Sequence, residues 1–246
     1  MALVRCRTLL ALAIALGLAR AGAAAPGAFT DPAAFASAVP GGTTSVDFES
    51  FSDGTLLSGT TQTPAGAAAG VVLPGPLADV LDPGGPALPL RVVVDAVDNP
   101  ASSGTRSLGV EDAGNFHAVT AGTPLAFAFT APVEAFGLTV VTPEEPGGAL
   151  FDADVRLLVP GEATAQLSLA DAQLLGTFGG REYRAYFLGV VGGATFSSAT
   201  LDVGATTPAS GFFFNLDDLV VPLPEPGALP GLLAGALLLA ALRRKG

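Results

Sequence analysis

The sequence predicts an all-β protein: an antiparallel jelly-roll-like sandwich with one short N-terminal helix, flanked by a signal peptide and a C-terminal transmembrane helix. Three observations carry this reading. Short alternating apolar runs recur between Gly42 and Val221, where apolar residues take every second position. Glycine and proline, 32 and 20 of 246 residues, punctuate those runs at turn positions. Helical periodicity is absent over the same stretch, and roughly a dozen short strands without intervening helices favour two packed sheets.

The helix comes first. In Asp31-Pro32-Ala33-Ala34-Phe35 the aspartate suits a cap and the proline suits the first helical position. Phe29, Phe35 and Val39 form the expected inner face, and Pro40-Gly41-Gly42 stops the helix. Strands follow. Ser45 to Glu49 alternates, Ser52-Asp53-Gly54-Thr55 makes a turn, and Gly70 to Leu73 is a short apolar run. Residues 74–89 read as a long surface loop. Leu90 to Asp95 and Thr105 to Val110 flank a turn at Asp98-Asn99-Pro100, and Phe116 to Thr120 follows. Leu125 to Thr130 is the clearest strand, with Leu125, Phe127 and Phe129 on one face. After Ala131-Pro132, alternation resumes through Phe136, Leu138 and Val140. Phe151 to Val159 and Ala163 to Ala170 form a hairpin around Pro160-Gly161-Glu162. Tyr183 to Val190, Thr195 to Val203 and Gly211 to Val221 complete the series.

The domain organisation is a signal peptide at 1–24, a β-sandwich domain at 25–221 and a C-terminal sorting segment at 222–246. Arg5 and Arg7 precede the apolar stretch Leu9 to Ala19, and Ala21-Gly22-Ala23-Ala24-Ala25 supplies small residues for cleavage after Ala23 or Ala24. An uncleaved anchor is the alternative, because Arg20 interrupts the layout. Cys6, the single cysteine, lies in this segment, so the exported body has no thiol and no disulfide. At the other end, Ala228 to Leu242 gives about 22 Å of apolar helix. That is short for a span of about 20 residues. Arg243, Arg244 and Lys245 mark its cytoplasmic side.

Pro224-Glu225-Pro226, the apolar segment and Arg243-Arg244-Lys245 together resemble the tripartite C-terminal signal of bacterial PEP-CTERM proteins. The resemblance covers about the last 25 residues. It implies recognition by an exosortase, a membrane transpeptidase, with cleavage near Pro224, Glu225 and Pro226. It also implies membrane attachment through the C-terminal helix and delivery to the cell surface or extracellular matrix of a Gram-negative, exopolysaccharide-producing bacterium. Val46-Asp47-Phe48-Glu49, Gly54-Thr55, Val133 to Gly137 and Phe214 to Leu219 resemble, more weakly, the lectin-like sandwich bodies found ahead of such signals. The expected role is that of a structural or adhesive protein without enzymatic activity. A carbohydrate-binding module for exopolysaccharide is the alternative.

Charge narrows the partners. Twenty-one acidic residues lie in the body against Arg91, Arg106, Arg156, Arg181 and Arg184, a net −16 with no lysine. Nucleic acid is excluded as a partner, because phosphate neutralisation needs cations. Four carboxylates stand out as candidate calcium ligands: Asp47 and Glu49 at the first strand, Asp217 and Asp218 in the last. Hard oxygen donors suit that ion, and terminal strands often neighbour each other. Alternation places Asp217 and Asp218 on opposite faces, so one of them needs a buried partner. Other clusters point to less. Asp95, Asp98 and Asn99 fit a turn. Asp152 and Asp154 fit a solvated face. Glu144-Glu145, between prolines, lacks the cleft-spanning separation of a glycosidase pair. His117 is the only histidine and has no nucleophile elbow beside it. Tyr183 and Tyr186, the only tyrosines, should point to opposite faces and so offer no joint platform for a sugar.

Overall fold

The computed structural model describes residues 26–78, 84–94, 101–112, 115–117, 119–120, 124–144, 155–178, 180–203 and 213–224. The expected signal peptide, Glu225, Pro226, the apolar segment 228–242 and Arg243, Arg244 and Lys245 lie outside these residues. So do Asp95, Asp98, Asn99, Glu145, Asp152 and Asp154. Among the described residues, no helix is long and apolar enough to cross a membrane.

The described residues are all-β with one short α-helix. Strand β1 (Gly27–Phe29) leads into α1 (Pro32–Ala38). Asp31 caps α1, accepting hydrogen bonds from the amides of Ala33 at 2.7 Å and Ala34 at 2.8 Å. Then come β2 (Thr43–Val46), β3 (Thr61–Gln62), β4 (Val71–Val72), β5 (Leu90–Val93), β6 (Ser107–Asp112), β7 (Asn115–His117) and β8 (Val119–Thr120). The remainder is β9 (Leu125–Glu144), β10 (Val155–Leu158), β11 (Ala165–Gln166), β12 (Gln173–Phe178), β13 (Arg181–Val203) and β14 (Phe213–Pro222). A 3-10 turn at Leu169–Asp171 precedes β12.

Two long antiparallel strands organise the rest. Their first ladder runs from Glu182↔Glu144 to Val191↔Ala135, and their second from Ser198↔Ala128 to Leu201↔Leu125. Between the two the register shifts, and there the pair bends. One half of the sheet carries β12, β1, β14 and β2; the other carries β10, β11 and β4. Rings from the two halves meet across the bend: Phe136 packs on Phe127 at 5.4 Å and on Phe129 at 5.0 Å between centroids. The main core is therefore closed by a sheet folded upon itself, a sandwich-like arrangement.

Several local expectations change. Ala131-Pro132 does not divide β9, because Pro132 sits in the shifted stretch where β13 needs no ladder hydrogen bond. For the same reason the two runs at 183–190 and 195–203 merge into one strand across Gly192-Gly193. β2 stops at Val46, one residue before the pair Asp47 and Glu49. The loop after Pro74 is pinned at Leu77 and Leu88, which exchange backbone hydrogen bonds of 2.8 and 2.7 Å and are both buried. β1, β3 and β12 are strands that alternation alone does not reveal. Tyr183 and Tyr186 do point apart, Tyr186 into the main core and Tyr183 onto the outer face.

A smaller core lies outside the main one, where α1 packs on the outer face of the first half-sheet. It contains Phe35, Val39, Ala135, Phe187 and Val191, with Phe29 against them. Gly137 and Gly189 face each other across β9 and β13 and make room for it. A Cβ on Gly137 would stand 2.6 Å from Phe187 Cζ, and one on Gly189 would stand 2.6 Å from Phe35 Cδ2. The two rings thus rest on bare backbone, with centroids 5.3 Å apart. Gly137→Ala or Gly189→Ala is expected to cost about 1–3 kcal/mol through overpacking. Urea denaturation measures this; an unchanged midpoint would contradict the packing described.

Candidate functional site

At the end of β2 the chain turns sharply. Phe48 is fully buried and adopts a φ of +61°, a left-handed value that few non-glycine residues take. Asp47 supports the turn, its Oδ1 accepting from the Glu49 amide at 3.2 Å. The result sends the Glu49 side chain toward the segment Ser102-Ser103-Gly104-Thr105-Arg106.

That segment binds two carboxylates with four backbone amides. The amides of Ser102 and Ser103 donate to Asp217 Oδ2 at 2.8 and 3.0 Å, and the Ser102 hydroxyl adds a third bond at 2.8 Å. The amides of Thr105 and Arg106 donate to Glu49 Oε1 at 2.7 and 2.6 Å. Arg106 Nη1 also reaches the Glu49 carbonyl at 3.1 Å and Oε2 at 3.3 Å. Gly104 separates the two halves with φ +60°, and a Cβ there would fall 2.3 Å from the Glu49 carboxyl carbon. Only glycine fits that position.

Asp217 and Asp218 depart from strand alternation. Asp218 has φ +48° and marks a bulge where the β14–β9 register shifts before Val220. Both carboxylates therefore meet the same two serines: Asp218 accepts from Ser103 Oγ at 3.1 Å and Ser102 Oγ at 3.3 Å. Asp217 is fully buried, and the Asp218 amide donates to its Oδ1 at 2.9 Å. Burial, with the neighbouring Asp218 charge, pushes the Asp217 carboxyl up to about 7, against the pull of the Ser103 amide and Ser102 hydroxyl. Burial raises Asp218 too, eased by the serine hydroxyls and reinforced by the charges of Asp47 and Glu49. At Glu49 burial pushes upward, but the Thr105 and Arg106 amides and the Arg106 charge outweigh it and hold the carboxyl below its usual range.

The four expected calcium ligands thus gather around one loop, but protein donors occupy them. Glu49 is held by Thr105 and Arg106, Asp217 by Ser102 and Ser103. Among the described residues, no group of three or more His, Cys, Asp or Glu side chains is placed to hold a metal ion. No family model, curated protein or solved structure matches this chain.

Beside the acidic pair lies a cleft of about 310 Å³ on the outer face of the first half-sheet. Phe35, Phe187, Ala185 and Val220 form its apolar floor. Ser102, Asp218, Thr44 and Ser45 stand on one side, Asp171 and Gln173 on the other, and Thr139 between them. Thr30 Oγ1 donates to Asp171 Oδ2 at 2.6 Å, tying the approach to α1 to the 3-10 turn. His117 lies in β7, paired with Val110, and Glu144 ends β9 opposite Glu182. Sequence reasoning missed Ser102, Ser103, Thr105 and Arg106 as a carboxylate cradle. The small polar run around Gly104 is the signal that could have shown it.

Asp217→Ala leaves buried amides unpaired, and the expected loss is about 3 kcal/mol or more by urea denaturation. A second expectation concerns pH. The ordinary Asp217 value of 3.8 rises to about 7 in the fold. Between those values the native state holds a proton that the unfolded chain has released, so stability falls as pH rises through that window. Glu49 acts oppositely and only at lower pH, its stabilisation disappearing as its lowered carboxyl is protonated. Urea melts from pH 5 to pH 8 should show the decline, and Asp218→Asn should make it shallower. A flat wild-type profile would sink this assignment.

Proposed function

We propose that this chain is an exported structural or adhesive protein of the cell surface or extracellular matrix, sorted by an exosortase through its C-terminal signal. The observation that carries the reading is the order of the tail: Pro224-Glu225-Pro226, an apolar stretch, then Arg243-Arg244-Lys245. The described fold suits such handling. β14 ends at Pro222, Leu223 makes a last backbone bond to the Gly42 carbonyl at 2.9 Å, and Pro224 is exposed. The motif thus begins two residues after the end of β14, and cleavage there leaves the described strands whole. On this reading the body is a lectin-like, jelly-roll-type sandwich, residues 1–24 export it, and the helix at 228–242 holds the precursor in the membrane.

A second reading is favoured by the cleft beside Asp218: the body is a carbohydrate-binding module for matrix polysaccharide. Hydroxyls, an amide and two carboxylates over an apolar floor form the lining that polyhydroxylated ligands need. Neither reading assigns a catalytic step to the body.

Replacing Pro224, Glu225 and Pro226 by alanine tests the sorting reading. Cell fractionation should then find an unprocessed precursor accumulating in the membrane fraction, with little reaching the surface. Normal processing and surface delivery of this variant would overturn it. The body should keep its urea midpoint, since the motif lies beyond the last strand.

A further inference from the structure

The cleft on the outer face has a lining whose charge selects its ligand. Among the described residues around it, the charged side chains are Asp171 and Asp218, and neither lysine nor arginine contributes. Body arginines are engaged elsewhere: Arg91 with Glu111, Arg106 with Glu49, Arg156 with Asp202 and Arg184 with Glu182. An anionic ligand, whether a uronate or a phosphate ester, would enter against two carboxylates and a body of net charge −16. A cationic ligand is drawn in by the same field.

Polar groups define the second requirement. Thr44, Ser45, Thr139, Ser102 and Gln173 offer hydroxyls and an amide, which both donate and accept. Such groups match the vicinal hydroxyls of a sugar, each of which also donates and accepts. Asp171 uses one oxygen toward Thr30 and keeps acceptor capacity on its exposed turn. Asp218 is oriented by Ser102 and Ser103, so its carboxylate is presented in a fixed position. The floor rings Phe35 and Phe187 both pack on Gly189, and Phe187 packs on Gly137 as well. A volume of about 310 Å³ is at the lower end of small-ligand pockets, which run from about 300 to 1,000 Å³.

We infer that this cleft binds an amino-sugar oligomer, whose ammonium groups face Asp171 on one side and Asp218 on the other, with ring hydroxyls on Thr44, Ser45, Thr139 and Gln173. The inference rests on the carbohydrate-binding reading and adds the class of sugar to it. The preferred polymer is a deacetylated hexosamine chain, whose free amines carry the positive charge.

Calorimetric titration of the purified full-length chain in mild detergent tests this with short oligomers of glucosamine, of N-acetylglucosamine and of galacturonate. The glucosamine oligomer should bind saturably, the N-acetylated one roughly tenfold or more weakly, and galacturonate not at all. Asp171→Asn and Gln173→Ala, both on the exposed rim, should each weaken glucosamine binding roughly tenfold with an unchanged melting temperature. Asp218→Asn should do the same if its melt is also unchanged. Equal binding of the N-acetylated oligomer overturns the ammonium assignment and leaves the carbohydrate reading standing. Glucosamine binding indifferent to Asp171 and Gln173 overturns the cleft as its place. Binding of none of the three oligomers overturns both the inference and the reading beneath it.

Discussion

Everything in this fold hangs on the ladder between β9 and β13. Two strands of 20 and 23 residues pair, shift register, bend and pair again. All other strands of the half-sheets are laid beside them, directly or through β14, β10 or β4. The bend brings Phe127, Phe129 and Phe136 together, and their burial supplies a large apolar contribution. The same ladder sets Gly137 opposite Gly189, and this bare patch of backbone receives the rings under α1. Core, helix and cleft are thus consequences of one strand pairing.

A body so poor in cations must stabilise its acids by other means, and the structure shows how. Four carboxylates each take hydrogen bonds from two successive backbone amides: Asp31 from Ala33 and Ala34, Glu49 from Thr105 and Arg106, Asp217 from Ser102 and Ser103, Glu162 from Gly193 and Ala194. Charge-assisted bonds of this kind are stronger than neutral ones. The acids themselves sit at a helix start, in the turn after β2, at the bulge in β14 and in the turn between β10 and β11. Backbone amides therefore do here what lysines do on many surfaces.

The elements that were legible in the sequence are those fixed by local chemistry. Asp31 and Pro32 announce the helix start because a cap and a preset φ act within one turn. Leu125, Phe127 and Phe129 announce a strand because alternation follows from the pleat. The carboxylate pair Asp217 and Asp218 was recognisable as unusual. Its partners were not, since Ser102 and Ser103 lie 115 and 114 residues away from Asp217. Nor does local preference signal the left-handed backbone of Phe48 and Asp218; tertiary contacts impose it. β12 escaped notice because Gly176 and a bulge interrupt its pattern. The cleft could not be read at all, since its walls come from seven separate stretches of chain.

The place of β14 has a mechanical meaning. Near its end it is bonded on both sides, to β2 from Leu219 to Pro222 and to β9 at Val220. A load applied along the C-terminal tail would enter an interior strand rather than an edge. Such a strand must slide, breaking flanking hydrogen bonds together, whereas an edge strand peels away one bond at a time. The tail is thus joined to the body at a point built to resist shear.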